Sequence, residues 1–237
     1  MSIKISIPQS LIFKGMMRKL WMLLMIGMIA PSFVQAQDYG DDVQLFDGNR
    51  PFIGGFLVGL NAAQVDGDNY GGYHRAGLNA GGIVYVNFSP IVGASLELLF
   101  SQKGSVGVHN ASNGQVGSFF EKYSMKLNYA EAAGMLHYYV SPQLHFNAGA
   151  SYNALISTQE KFDTYFPYYI DETLYPFKKW SVDGIVGFSY VWRNFIFDAR
   201  YQYSITPVRL AFYAPEIARN GRNQRNNIFA FRLGYLF

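Results

Sequence analysis

Toward the C-terminus the residues alternate in character with a period of two. Over Phe195 to Ser204, the residues Phe195, Phe197, Ala199, Tyr201 and Tyr203 interleave with Ile196, Asp198, Arg200, Gln202 and Ser204. From residue 228 onward, Phe229, Phe231, Leu233, Tyr235 and Phe237 interleave with Ile228, Ala230, Arg232, Gly234 and Leu236. Trp180 to Trp192 places Trp180, Val182, Val186, Phe188, Tyr190 and Trp192 against Ser181, Asp183, Gly187 and Ser189. Successive side chains of a strand point to opposite faces, so each segment is a strand with one aromatic and one polar face. Leu144 to Ser157 and Ile91 to Lys103 repeat the pattern, with Leu96, Leu98 and Phe100 set against Ser95, Glu97 and Lys103. Leu78 to Phe88 and Phe52 to Ala62 are glycine-rich versions. Tyr123 to Val140 is the least regular: Leu127 and Tyr129 share a parity with Glu131, which predicts a phase slip, a β-bulge near Tyr129 to Glu131. A water-soluble sandwich also alternates, but it rarely keeps large aromatics on one face of successive strands.

The joints between these strands alternate in length. Ser89-Pro90, Ser141-Pro142-Gln143 and Arg193-Asn194 are short; about 64–77, 104–121, 158–179 and 206–226 are long. After residue 36 no apolar run approaches the roughly 20 residues of a transmembrane helix. A chain with this pattern crosses a bilayer only as a closed barrel, in which every backbone polar group is paired. The expected fold is therefore all-β: a transmembrane up-and-down antiparallel barrel of about eight strands over residues 51–237, with short periplasmic turns, longer extracellular loops and both ends periplasmic.

The N-terminal region changes the reading of charge. Lys14, Arg18 and Lys19 precede an uncharged apolar stretch from Leu20 to Ile29, and Val34-Gln35-Ala36 has small residues where a signal peptidase needs them. Residues 1–36 are thus expected to be a cleaved signal peptide and 37–50 a polar periplasmic tail. Met17-Arg18-Lys19 would also open such a leader. The pI of about 8.9 belongs to this segment. It holds Lys4, Lys14, Arg18 and Lys19 and no acidic residue, so 15 of the 19 basic residues remain against 16 acidic ones, a balance of −1. Nucleic-acid binding loses its compositional support. The chain has no cysteine, which excludes disulfides, thiolate metal sites and a lipidated N-terminal cysteine.

Several runs resemble the PorT-like outer-membrane β-barrel family: Gly59 to Gly81 (GLNAAQVDGDNYGGYHRAGLNAG), Glu97 to Ser105 (ELLFSQKGS), Asn128-Tyr129 followed by Glu131, and Arg200 to Arg209 (RYQYSITPVR). The resemblance spans nearly all of the chain after the leader. Ala130, Ala132 and Ala133 around Glu131 are a mild departure from the larger apolar residues usual there. What it implies is an outer-membrane barrel and, more narrowly, an association with type IX secretion. Most members have no assigned role.

The inward face carries Glu97, Lys103, Glu131, Asp183, Asp198, Arg200 and Arg232. Eight strands enclose only enough space for side chains, so these charges are expected to pair, with Asp198, Arg200 and Arg232 together on adjacent strands. The functional alternative is a selective pore or a buried acid–base pair. Phe231, Leu233, Tyr235 and Phe237 resemble the C-terminal signal read by the barrel assembly machinery. No His-x-Glu, His-Glu-x-x-His or Gly-x-Ser-x-Gly spacing occurs, so no catalytic residue, metal ligand or cofactor is assigned. Asp66-Gly67-Asp68-Asn69 lacks the later glutamate of a calcium loop and reads as a turn. Tyr165, Phe166, Tyr168, Tyr169 and Tyr175 form a candidate partner loop or part of the aromatic girdle at the membrane interface, and Arg209, Arg219, Arg222 and Arg225 a solvated basic loop, with contact to anionic surface glycolipid as the alternative. The expected function is a non-enzymatic barrel in contact with outer-membrane lipid, acting through its loops or rim, with secretion or envelope-assembly proteins as partners. A narrow pore or ligand-binding barrel is the alternative, and a lipid-modifying enzyme the third reading.

Overall fold

The computed structural model describes residues 52–112, 118–163, 168–171 and 173–237; the leader and tail lie outside them. Eight long strands form one antiparallel ring. They are β1 (Phe52–Asp66), β2 (Arg75–Asn87), β3 (Val92–Ser112), β4 (Ser118–Tyr139), β5 (Leu144–Asp163), β7 (Trp180–Trp192), β8 (Phe195–Ser204) and β9 (Arg225–Leu236). A two-residue β6 (Tyr168–Tyr169) lies against the far end of β5. Each long strand pairs with the next, and β1 pairs with β9 from Gly55↔Leu236 to Asp66↔Arg225, which closes the barrel.

The alternation in the sequence sets which face meets lipid. Leu98, Phe188 and Phe231 are 62%, 51% and 62% exposed, whereas Glu97, Ser189 and Arg232 beside them are buried. Outward apolar residues run from Val92 to Phe100 on β3 and from Ala130 to Tyr138 on β4. That is close to the 9–11 tilted residues, about, that cross a hydrocarbon core. Ring pairs stand near both edges of this belt: Tyr152–Trp180 and Tyr201–Phe229 at the long-loop end, Phe195–Tyr235 at the short-turn end.

Beyond the belt the polarity of the two faces inverts. Tyr123, Met125, Leu127 and Tyr129 on β4 are all buried inside, while Lys122, Ser124, Lys126 and Asn128 face outward. This corrects two expectations. The segment 104–121 is largely not a loop but paired strand, from Gly104↔Lys126 to Ser112↔Ser118, so the β3–β4 hairpin projects past the membrane. β4 also keeps one phase throughout: the bulge falls at the expected level, between Asn128 and Tyr129, but the extra residue lies on its partner. Asn128 opposes Ser157 and Tyr129 opposes Leu155, leaving Ile156 as the extra residue. After it, the inward positions of β5 change from Asn153 to Glu160 and Phe162.

Candidate functional site

Two ion-pair clusters fill the lumen. In the first, Arg200 of β8 and Arg232 of β9 lie between Glu97 of β3 and Asp198 of β8. Arg200 donates to both Glu97 oxygens at 3.0 and 2.9 Å, and its Nε donates to Asp198 Oδ1 at 2.9 Å. Arg232 does the same, at 2.8 and 3.2 Å to Glu97 and 2.9 Å to Asp198. Two cations thus balance two carboxylates, each fork matched to a carboxylate. Ser189 Oγ adds a bond to Asp198 at 2.8 Å.

In the second cluster, Lys103 of β3 meets Asp183 of β7 at 2.8 Å and Glu131 of β4 at 3.0 Å, and donates to Asn153 Oδ1 at 2.8 Å. Gln202 bridges the same two carboxylates at 2.9 and 3.0 Å, and Ser204 Oγ donates to Asp183 at 2.8 Å. The structure therefore brings the seven inward charges named from sequence into two groups, with Lys103 central to the second.

Apolar side chains stand at both ends of this polar core. At the short-turn end Ile53, Leu57, Ile83, Tyr85, Tyr139, Ile196 and Leu236 pack together. His137 and His145 join them, their rings 5.0 Å apart, with His137 Nε2 at 2.8 Å from Ser95 Oγ. At the long-loop end, Tyr70 from the β1–β2 turn, Ile170 and Phe177 from the segment before β7, and Val208 and Ala218 from the β8–β9 loop pack onto Tyr123, Met125, Leu127 and Tyr129. Tyr70 stacks on Tyr123 at 4.6 Å.

The centre of this cap was not legible in the sequence. Arg209 is fully buried, not part of a solvated basic loop. It forks onto Glu160 at 2.6 and 3.1 Å and lies 3.5 Å over the Phe177 ring. Tyr123 donates its hydroxyl to the same carboxylate. Arg219 and Arg222 are exposed, and Arg225 turns onto the Ser204 and Ile205 carbonyls. Asp68 is buried at the rim, its Oδ1 accepting the Tyr70 amide at 2.9 Å, and burial raises its carboxyl from 3.8 to about 6.

The aromatic loop divides in the same way. Phe162 and Phe177 are buried in the cap and Tyr175 packs against it, whereas Tyr169 is 64% exposed; Tyr165, Phe166 and the Tyr168 side chain lie outside the described residues. Tyr169 and Tyr175 line a cleft of about 550 Å³ with Phe212, Glu216 and Arg219. A second cleft of about 700 Å³ lies between the β1–β2 turn and the β8–β9 loop, lined by Asp66, Asp68, Tyr203, Arg222 and Arg225. Of the C-terminal signal residues, Phe231, Leu233 and Tyr235 face outward on β9 and Phe237 follows its last residue; the Phe237 amide bonds Gly54 O at 2.9 Å and its ring stands 5.6 Å from that of Phe56.

A closed ring of eight antiparallel strands, apolar outside and charged inside, defines a transmembrane β-barrel. The chain belongs to the family of the outer membrane protein β-barrel domain, which matches residues 35–209, and its place is the outer membrane. The match does not single out the PorT-like group. No curated protein matches the chain. Among solved structures, it is similar to Ail, the attachment invasion locus protein of Yersinia pestis, at 13% identity and a TM-score of 0.43 in a complex with the heparin analogue sucrose octasulfate; the match covers 79% of this chain and all of that one. It is also similar to neisserial surface protein A, at 12% identity and a TM-score of 0.38, over 79% of this chain and 98% of that one.

Proposed function

We propose that this barrel is a closed, non-enzymatic platform that acts through its extracellular end, as an accessory to secretion or envelope assembly. The observation that carries the reading is the filled lumen: paired charges occupy the middle and apolar clusters stand at both ends. A pore needs a continuous wet path, and buried pairs of this kind leave their members with no free valence for a passing ion. What stands outside the membrane is the β3–β4 hairpin and the aromatic cleft around Tyr169 and Phe212. Exposed aromatics of this kind suit a protein partner. The assignment of that partner to secretion or envelope assembly rests on the resemblance of the Gly59 to Gly81, Glu97 to Ser105 and Arg200 to Arg209 runs to PorT-like barrels.

Ser95 and His137 form a hydroxyl–imidazole contact, the pairing a hydrolase uses. Both are buried within the barrel, and His137 Nδ1 has no acceptor to orient the ring, so the pair lacks both substrate access and the third member of a triad. Planar bilayers test the closed lumen: the purified protein should give no steady conductance, and a stable open channel would sink the reading. Photo-crosslinkers at Tyr169 and Phe212 in intact cells test the platform. Adducts with one envelope protein support it, and adducts with lipid alone count against it.

A further inference from the structure

The outer surface of β4 and β5 changes chemistry at one level. Ala130 and Ile156 are the last apolar outward residues; beyond them come Asn128, Lys126, Ser124 and Lys122 on β4, and Ser157, Gln159 and Lys161 on β5. Lys161 stands opposite Ser124, and Lys126 opposite Gln159. Strand spacing and rise then put Lys161 about 8 Å along the sheet from both Lys122 and Lys126. Arg75 joins them from β2. β2 stops pairing with β3 at Asn79↔Ser101, and Arg75 passes over the bare backbone of Gly104 to donate Nη1 to Ser124 Oγ at 3.2 Å. A Cβ on Gly104, which sits at φ +131°, would stand 3.2 Å from Arg75 Cδ and 2.1 Å from Met125 O, so glycine keeps this route open.

The group carries excess positive charge that begins at the height of lipid headgroups with Lys126 and continues above it, where Asp163 stands opposite Lys122. Asp163 pairs with Lys161 at 2.5 Å; Arg75 and Lys126 meet no carboxylate among the described residues. Lys126 stands four residues above Ala130, which at a tilt near 45° is about 9 Å past the hydrocarbon edge, within reach of a headgroup layer roughly 5–8 Å deep. A lysine there bends its ammonium toward the phosphates while its stem follows the apolar surface. Elsewhere on the rim the outward positions are Trp180, Tyr203 and Gln64; Lys178 and Lys179 precede Trp180 and extend the basic sector past β5, whereas Arg225 is turned onto backbone carbonyls.

We propose that Arg75, Lys126 and Lys161, with Lys122 above them, bind the phosphate groups of an outer-leaflet glycolipid. Its acyl chains lie against the apolar surface below, and its sugars meet the band of Ser124, Asn128 and Gln159. A site made of cations directly above an acyl-facing wall selects a ligand that is both phosphorylated and anchored in the membrane. Arginine adds a fork that matches phosphate oxygens.

The test is native mass spectrometry of the folded protein loaded with diphosphorylated lipid A, fully dephosphorylated lipid A or phosphatidylglycerol. The wild-type protein should retain the diphosphorylated form over both others. Arg75→Gln with Lys126→Gln should weaken retention by about fivefold for each cation removed. Arg222→Gln, in the cleft between the β1–β2 turn and the β8–β9 loop, should leave it unchanged. If R75Q fails to fold, the outward-facing pair Lys122→Gln with Lys126→Gln reads the same loss. Equal retention of dephosphorylated lipid A or of phosphatidylglycerol, or an equal loss in the Arg222 control, overturns the proposal.

Discussion

Arg209 and Glu160, 49 residues apart, form a two-pronged ion pair at 2.6 and 3.1 Å that ties the β8–β9 loop to β5 inside the long-loop mouth. Removing one member leaves the other charged and buried, which costs roughly 3–5 kcal/mol. Arg209→Met should therefore lower the temperature at which the folded band converts to the unfolded band on a denaturing gel. Arg209→Met with Glu160→Gln should recover part of that loss. Equal melting of the single variant and the wild type would show that the cap does not depend on the pair.

Lys103 is the one cation between Glu131 and Asp183. Lys103→Met leaves two carboxylates facing one another and should cost about 3–5 kcal/mol in urea unfolding from vesicles. Adding Glu131→Gln removes one of them and should restore part of the stability. Coupling between the two sites measures the cluster, and simple additivity would mean that they act independently.

Asp68 gives the cap a pH dependence whose sign follows from its raised carboxyl. The folded state holds the proton more tightly than the unfolded chain does. Its contribution is therefore fully present below about pH 4 and is lost as pH rises through about 6. The Tyr70 amide, bonded to Asp68, should be better protected from hydrogen exchange at pH 4.5 than at pH 7 after correction for intrinsic rates. Asp68→Asn should abolish the difference; a variant that keeps it places the titration elsewhere.

Phe237 tests the C-terminal signal. Its ring is exposed beside Phe56, so deleting it removes little buried surface. Phe237 deletion should reduce folded protein in the outer membrane of cells while refolding into detergent micelles proceeds as in the wild type. A matching defect in both would assign the residue to ordinary strand closure.

The strands, their facing and the alternation of short and long joints were legible because lipid imposes one rule on every outward position. Where the strands leave the lipid, that rule fails. On β4 the apolar residues pass from the outside, at Leu136 and Ala132, to the inside, at Leu127 and Met125, with no change of backbone phase. Read as a single pattern, this inversion looks like a slip at Tyr129 to Glu131, and it hides the continuation of β3 to Ser112. The true bulge at Ile156 leaves little trace, since Leu155 and Ile156 are both apolar and fit either face. Asp198, Arg200 and Arg232 sit on neighbouring strands, so their grouping was readable from parity. Arg209 and Glu160 share no strand pair, and their meeting depends on how a long loop folds back over the mouth.

The ring closes between the first strand and the last. Twelve residue pairs join β1 to β9, so the seam consists of the two ends of the barrel sequence. No partial chain can close it: a product that stops anywhere before residue 225 keeps β1 with one open edge, and the strand that ends it keeps another. Unpaired edges template aggregation. A chain of this topology must be held open and soluble until its final residues arrive, and premature termination anywhere upstream yields a quality-control substrate rather than a shortened barrel.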